Sequence, residues 1–352
     1  MSLLSFLILL CAFALSPAQA DRFGREHRIT LDAMEYPWST IGRLNAAGRA
    51  HCTAFLVGPR SALTAAHCLY EFKSGRWLHP KELFFLPGFQ RDQYILKSPI
   101  KSFVISRSYQ PELQAGEETT RTDWALLTLE KPIGQDAGWL PMLSLGSRQV
   151  EKIKAGKARL MVSGYRAGAP YAQSLAANCD IPRYFKTGGI AHFCYLQKGD
   201  SGSPLLYLQD GTVSAIGINV IGIQPERSKP QNIVAGALPL TLLSPEQGRT
   251  SYLQQINADP DSPSVAKLWS SGQKPASSSP VALEPYQSLA FMLKKLGHLD
   301  TKSVRAFSAS RQSVTDGLKS FYARKTSRPA SKALEDVIKA FPPTLSAEDF
   351  MN

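Results

Sequence analysis

Cysteine is scarce in this chain, five residues in 352, and no two of them form a C-x-x-C pair. The close spacing of a structural zinc site is therefore missing. None of the six histidines stands at metal-ligand spacing from another. We expect no metal and no organic cofactor. Long apolar runs are also few. Leu3 to Leu15 is almost unbroken but too short to cross a bilayer, and no later stretch is long enough either. Acidic residues are outnumbered, 28 against 40 Lys and Arg, for a net charge of +12. That balance fits either an anionic partner, such as a cell-envelope polymer or membrane surface, or plain solubility. Nucleic-acid readers interleave basic residues with aromatics in recognisable modules; none is present, and no nucleic-acid partner is expected.

The early apolar run is followed by Ser16-Pro17 and then Ala18-Gln19-Ala20, small residues that fit signal-peptidase cleavage before Asp21. The segment before the run lacks the usual positive charge, and a permanent anchor is the other reading. Cleavage would remove Cys11 and leave four cysteines, an even number that suits two disulfides in an oxidising compartment. Cys52 and Cys68 flank an expected strand pair, and a bridge between them would tie down the loop at His67. Cys179 and Cys194 form the second expected pair.

Three short runs carry the chemistry: Leu63-Thr64-Ala65-Ala66-His67-Cys68, Thr122-Asp123-Trp124-Ala125-Leu126-Leu127, and Lys198-Gly199-Asp200-Ser201-Gly202-Ser203-Pro204-Leu205. A serine hydroxyl is a weak nucleophile at neutral pH and needs a base beside it, and that base needs a group to fix its tautomer. The order His, Asp, Ser distinguishes one triad lineage from those that use other orders. Around these runs, from Ile29 to about Leu243, short β-branched and aromatic stretches are broken by Gly, Pro, Asn and Asp, an all-β pattern.

With Tyr36–Leu44, His51–Arg60, Leu86-Pro87-Gly88-Phe89, Val162-Ser163-Gly164-Tyr165 and Ile216-Gly217-Ile218-Asn219 added, the chain resembles the chymotrypsin superfamily, most of all its secreted bacterial trypsin-like and glutamyl-endopeptidase-like branch. The resemblance implies two antiparallel six-stranded-type β-barrels and a secreted or periplasmic serine endopeptidase acting on polypeptides. It implies Ser201 as nucleophile, His67 as base, Asp123 as its orienter, and the backbone of Gly199 and Ser201 as oxyanion hole. A tentative substrate pocket comprises Tyr195, Lys198, Val220, Ile221 and Gly222.

Departures from the family limit this carry-over. Tyr195 stands six before the serine, where an aspartate would select Arg or Lys, and Gln197 replaces the usual pocket cysteine. The apolar Val220-Ile221-Gly222 favours an uncharged residue before the scissile bond, while glutamate selection would need polar donors. The resemblance would bury Asp200 beside the nucleophile, where a carboxylate wants a partner, in this superfamily often a new N-terminal amine. Cleavage after Arg28 would free Ile29 to supply one; the alternative is a constitutively active enzyme with a short N-terminal arm.

Beyond Ser244 the composition shifts. Pro260, Pro263, Pro275, Pro280 and Ser277-Ser278-Ser279 mark a linker. Leu289, Leu293 and Leu296, then Val314, Leu318 and Phe321, then Leu334, Ile338 and Phe341 recur at helical spacing. The region resembles a small three-helix peptidoglycan-binding module; the alternative is a helical appendage packed on the protease or loose beside it. The expected organisation is a signal peptide at 1–20, a short propeptide at 21–28, a protease domain at 29–245, a linker at 246–284, helices at 285–342 and a tail at 343–352. Two other functions share these residues: an envelope-binding protein on an inactive protease scaffold, and an esterase with the same triad. His27, His51, His79, His192 and His298 are expected to be structural or surface groups.

Overall fold

The computed structural model describes residues 28–46, 51–113, 119–179, 183–184, 189–222, 235–239, 253–256, 271–300, 309–323 and 329–341. The signal peptide, nearly all of the propeptide segment and the tail expected from the sequence lie outside these residues. The strands are β1 (Arg28–Thr30), β2 (Ile41–Ala46), β3 (His51–Gly58), β4 (Ser61–Thr64), β5 (Tyr70–Glu71), β6 (Arg76–Trp77), β7 (Leu83–Pro87), β8 (Ser98–Ser106) and β9 (Ala125–Leu129). After helices α1 (Gly134–Ala137) and α2 (Ser147–Lys154) come β10 (Arg159–Gly164), β11 (Ser174–Cys179), β12 (Arg183–Tyr184), β13 (Ile190–His192), β14 (Pro204–Gln209), β15 (Thr212–Gly222), β16 (Ala235–Pro239) and β17 (Leu253–Ile256). Helices α3 (Tyr286–Lys295), α4 (Arg311–Tyr322) and α5 (Ala330–Lys339) end the described chain.

Strands β8, β7, β2, β3, β4 and β9 follow one another antiparallel, and β9 pairs back onto β8, which closes a six-stranded barrel. The second body is an eight-stranded antiparallel sheet in the order β1-β11-β10-β14-β15-β16-β13-β12. The mainly β, chymotrypsin-like fold read from the sequence is what the chain adopts.

Period-two alternation explains how the layers form. On β3, Phe55 and Val57 pack into a core shared by both bodies, while Ala54 and Leu56 face the closed barrel's interior. On β10, Met161 joins the shared core, and Leu160 and Val162 point into the second body. Strand β14 repeats this with Leu206 and Leu208 against Leu205 and Tyr207. Strands apolar on both faces are thus buried on both faces. Each such Leu, Val, Met or Phe side chain contributes about 1.5–3 kcal/mol.

The C-terminal helices fall where the leucine spacing placed them, and they are not a separate body. Leu289, Leu293, Leu334 and Ile338 belong to the same core as Phe55 and Leu206. Glu35 caps α3 with both oxygens, accepting from Gln287 N at 2.6 Å and Ser288 N at 2.9 Å. Burial pushes its carboxyl up to about 7 against the pull of those N–H groups. The Asp32 amide donates to Ser288 Oγ, and Gly211 N to the Glu335 carboxylate.

The expected linker differs from the observed chain in two places. Residues 271–284 form a hydrogen-bonded strap, with Trp139 and Gln273 exchanging two bonds and Ala282 bonded to Met34 and Tyr36. Strand β17 pairs with the end of β8: β7 covers only Ser98 and Pro99, so Phe103 to Ser106 remain open to a further partner. Both contacts satisfy backbone groups distant in sequence, a demand that local composition does not register.

Candidate active site

Strands β4 and β9 are antiparallel, with Leu63 opposite Leu126 and Thr64 opposite Ala125. That register brings together the residues just after β4 and just before β9, which are His67 and Asp123. His67 sits in a tight helical turn at Ala66–Leu69. Asp123 Oδ1 accepts from the His67 amide at 2.9 Å, and Oδ2 lies 2.7 Å from Nδ1. The carboxylate can only accept, so Nδ1 carries hydrogen and the neutral ring keeps its lone pair on Nε2. Burial pulls the imidazole pKa down, but the Asp123 charge and hydrogen bond outweigh it and leave His67 above its ordinary 6.5. The His67 side chain keeps 24% exposure, while Asp123 is buried.

Cys68 is bonded to Cys52 on β3, which pins this turn to the barrel wall, and Cys179 is bonded to Cys194. Both pairings agree with the sequence reading. Cys52, His67 and Cys68 bring their ligand-type atoms close together. The two sulfurs are already spent on each other, so no thiolate is offered to a metal.

Ser201 lies in the loop between β13 and β14, and the Cys68 sulfur is 3.9 Å from its carbonyl oxygen. Thr53 on β3 holds this loop twice: its amide donates to Ser201 O at 2.9 Å, and its hydroxyl donates to Gly199 O at 2.8 Å. The same hydroxyl accepts from Tyr165 N. Gly199 has φ +93° and Gly202 φ +80°. A side chain at either would also run into backbone, Tyr165 O in one case and Thr53 O in the other. Among the described residues neither the Gly199 nor the Ser201 amide donates to a protein acceptor, which leaves two N–H groups, one on each side of Asp200, available to an anion.

Polar groups brace the loop from behind. His192 is fully buried; its Nδ1 accepts from Cys194 N, so Nε2 donates to Asn219 Oδ1 at 2.7 Å. Asn219 Nδ2 in turn donates to Ser203 O and Oγ, each at 3.0 Å. Burial pushes His192 down to about 4, so it is neutral near pH 7. Asp200 is paired with the side chain of Arg28, Nη2 to Oδ1 at 2.9 Å, both side chains at 0% exposure. The sequence reading left this place open, an Ile29 amine after cleavage being one of two alternatives; in the structure a guanidinium fills it.

A cavity of about 430 Å³ opens beside His67 and Asp123, walled by Phe72, Tyr109, Leu113 and Val220 among others. Val220 is thus one tentative pocket residue that meets the site. Tyr195 is buried, with its carbonyl on Arg28 and its hydroxyl accepting from Gln197 Nε2. Lys198 is exposed. Ile221 and Gly222 pair through their backbone with Gly236 and Ala235. Of the other histidines, His51 Nε2 bonds Tyr165 O, His79 caps a turn, and His298 bonds Ser320 Oγ; His27 lies outside the described residues.

Thr53, Asn219 and Arg28 were not read as site residues. Thr53 had a usable signal, since it follows Cys52 directly on the strand bridged to the His67 turn. Asn219 closes the Ile216–Asn219 run and Arg28 precedes the expected cleavage point, but nothing local points to the contacts that they make.

A closed barrel and a second sheet that together present a histidine–aspartate pair and a Gly-Asp-Ser-Gly loop define a chymotrypsin-like peptidase fold. Residues 30–238 match the family described as Trypsin, well over half of the chain, and the chain belongs to that family. Two solved structures are similar to it. One is a Glu endopeptidase in complex with MPD, 18% identical, covering 62% of this chain and 92% of its own, with TM-score 0.49. The other is the protease Anisep from Arthrobacter nicotinovorans, 14% identical, covering 60% and 93%, with TM-score 0.45. No curated protein matches the chain. The family match ends at residue 238 and does not reach the helices that the sequence likened to a peptidoglycan-binding module.

Proposed function

We propose that this chain is a secreted serine endopeptidase that cleaves polypeptides through an acyl-enzyme. Membership of a peptidase family supports hydrolysis of peptide bonds as the general activity. The observation that carries the finer reading is the bidentate hold of Asp123 on His67, through the amide and through Nδ1, beside the loop that bears Ser201. In this mechanism neutral His67 takes the Ser201 hydroxyl proton as Oγ attacks the substrate carbonyl, and Asp123 stabilises the imidazolium. The oxyanion that forms accepts from Gly199 N and Ser201 N, each donor worth roughly 100- to 1000-fold in rate. His67 then protonates the leaving amine, and water repeats the cycle on the acyl-serine. Two disulfides and the apolar leader support export to an oxidising compartment. The apolar Val220 beside the site favours an uncharged residue before the scissile bond.

Labelling with a fluorophosphonate and peptide mapping tests the assignment. The label is expected on Ser201, and Ser201→Ala should lose peptidase activity by about a million-fold while retaining both disulfides. Label on any other residue, or unchanged turnover by the alanine variant, would sink it. Hydrolysis of ester but not amide substrates would turn the reading to an esterase.

A further inference from the structure

The Arg28–Asp200 pair is buried, charged and placed directly behind the nucleophile. All three nitrogens of the guanidinium are used: Nη2 on Asp200 Oδ1 at 2.9 Å and Ser174 O at 3.1 Å, Nε on Ser174 Oγ at 3.1 Å, and Nη1 on Tyr195 O at 3.2 Å. The remaining Asp200 oxygen accepts from Gln197 N at 3.0 Å. Asp200 lies between Gly199 and Ser201, so fixing its carboxylate fixes the peptide planes whose N–H groups would bind the oxyanion. A carboxylate in this position is tolerated only with a partner, and removing one member of such a pair leaves an uncompensated buried charge.

The backbone of β1 decides which group can be that partner. Arg28 is in register with Ala176, and Ile29 with Leu175, on β11. Ile29 and Leu31 are buried in the shared core, Leu31 N donates to Gln173 O, and Asp32 N donates to Ser288 Oγ. An amine created at Ile29 would therefore be held at its strand position, a full arginine side chain short of the place where the guanidinium meets Asp200.

We propose that Arg28 is the activating cation of this enzyme, a positioning residue that sets the oxyanion-binding loop through Asp200. The active chain keeps Arg28, its processed N-terminus lies at or before that residue, and a cut after Arg28 inactivates. This rests on the serine endopeptidase reading above.

The test compares two forms of the full chain, one beginning at Asp21 and one at Ile29, each checked by intact mass and for both disulfides, in their rate of fluorophosphonate labelling at Ser201. The Asp21 form should label, and the Ile29 form at least about 100-fold more slowly, the cost of losing one oxyanion donor. Equal labelling, or labelling only once Ile29 leads the chain, overturns the role of Arg28 and leaves the peptidase reading intact. Labelling of neither form overturns both. If the Ile29 form does not fold, Arg28→Ala with added methylguanidine takes its place. Recovery of labelling with methylguanidine, and not with equal sodium chloride, is the expected result. Failure of that rescue, or wild-type labelling without it, rejects the proposal.

Discussion

On the closed barrel, His67 and Asp123 stand at the ends of two paired, buried and mostly apolar strands, and a disulfide pins the His67 turn to β3. On the second sheet, Ser201 stands on a loop whose shape comes from buried polar groups: Thr53 in front, Asn219 and neutral His192 behind, Arg28 and Asp200 beneath. One wall places its groups by packing, which varies smoothly with volume. The other places them by hydrogen bonds, which are made or lost singly. Injury to the barrel should therefore appear mainly as lost stability, and injury to the sheet as lost rate in molecules that still fold.

Asp123→Asn is the exception that defines the barrel's one chemical duty. It should lower kcat by about 10,000-fold with little change in stability, because the amide no longer enforces the tautomer. In the wild type, the acid limb of kcat/KM should lie above pH 6.5, since Asp123 favours the protonated ring; activity falls as pH drops through that limb, and the asparagine variant should move the limb downward. A limb below 6.5 in the wild type would contradict the electrostatics described for His67.

Phe85→Ala, inside the barrel, should cost about 3–5 kcal/mol in denaturant unfolding while the folded fraction keeps near-normal kcat. A large kcat loss there would break the comparison.

His192, on the sheet, sharpens the comparison because its burial also makes stability depend on pH. Its folded pKa of about 4 lies below its ordinary 6.5, so the folded state binds fewer protons between those values. Its contribution is complete above pH 6.5 and disappears as pH falls toward 4, by about 3 kcal/mol. Glu35, raised to about 7, acts in the opposite sense, losing its contribution as pH rises from 4.5. The difference between wild type and His192→Gln in urea midpoints at pH 7 and pH 4.5 isolates the histidine; equal shifts in both proteins would remove it from the account.

The smallest effect is expected from Thr53→Val, about 1–3 kcal/mol, because Tyr165 N loses its buried acceptor and Gly199 O its donor. Thr53 sits on barrel strand β3 but holds the sheet's loop, so fluorophosphonate labelling should slow by more than that loss of stability predicts; a rate unchanged in the folded fraction would leave it a purely structural barrel residue.

How much of this was legible follows the distance over which each feature is built. The runs around His67, Asp123 and Ser201 need only their neighbours to announce themselves, and the three helices declared themselves by leucine spacing. The disulfides span 16 and 15 residues and were read correctly. Arg28 meets Asp200 across 172 positions, Thr53 meets Gly199 across 146, and Glu35 meets Ser288 across 253. No periodicity or local composition encodes contacts of that kind. An arginine on a three-residue strand looks like any surface cation until the fold buries it. The linker was misjudged for the same reason, since serine and proline describe a strap's side chains and not the backbone partners it finds.

The clasp between Asp32, Glu35 and the start of α3 also sets an order of events. The strand that carries Arg28 is made about 250 residues ahead of Gln287 and Ser288, which hold the segment just after it. Until those residues are made, β1 can pair with β11 but the segment from Asp32 to Glu35 lacks its partners on α3. Contacts closed over so much chain form late. A fragment interrupted before residue 288 carries all three residues of the proposed triad and lacks this clasp.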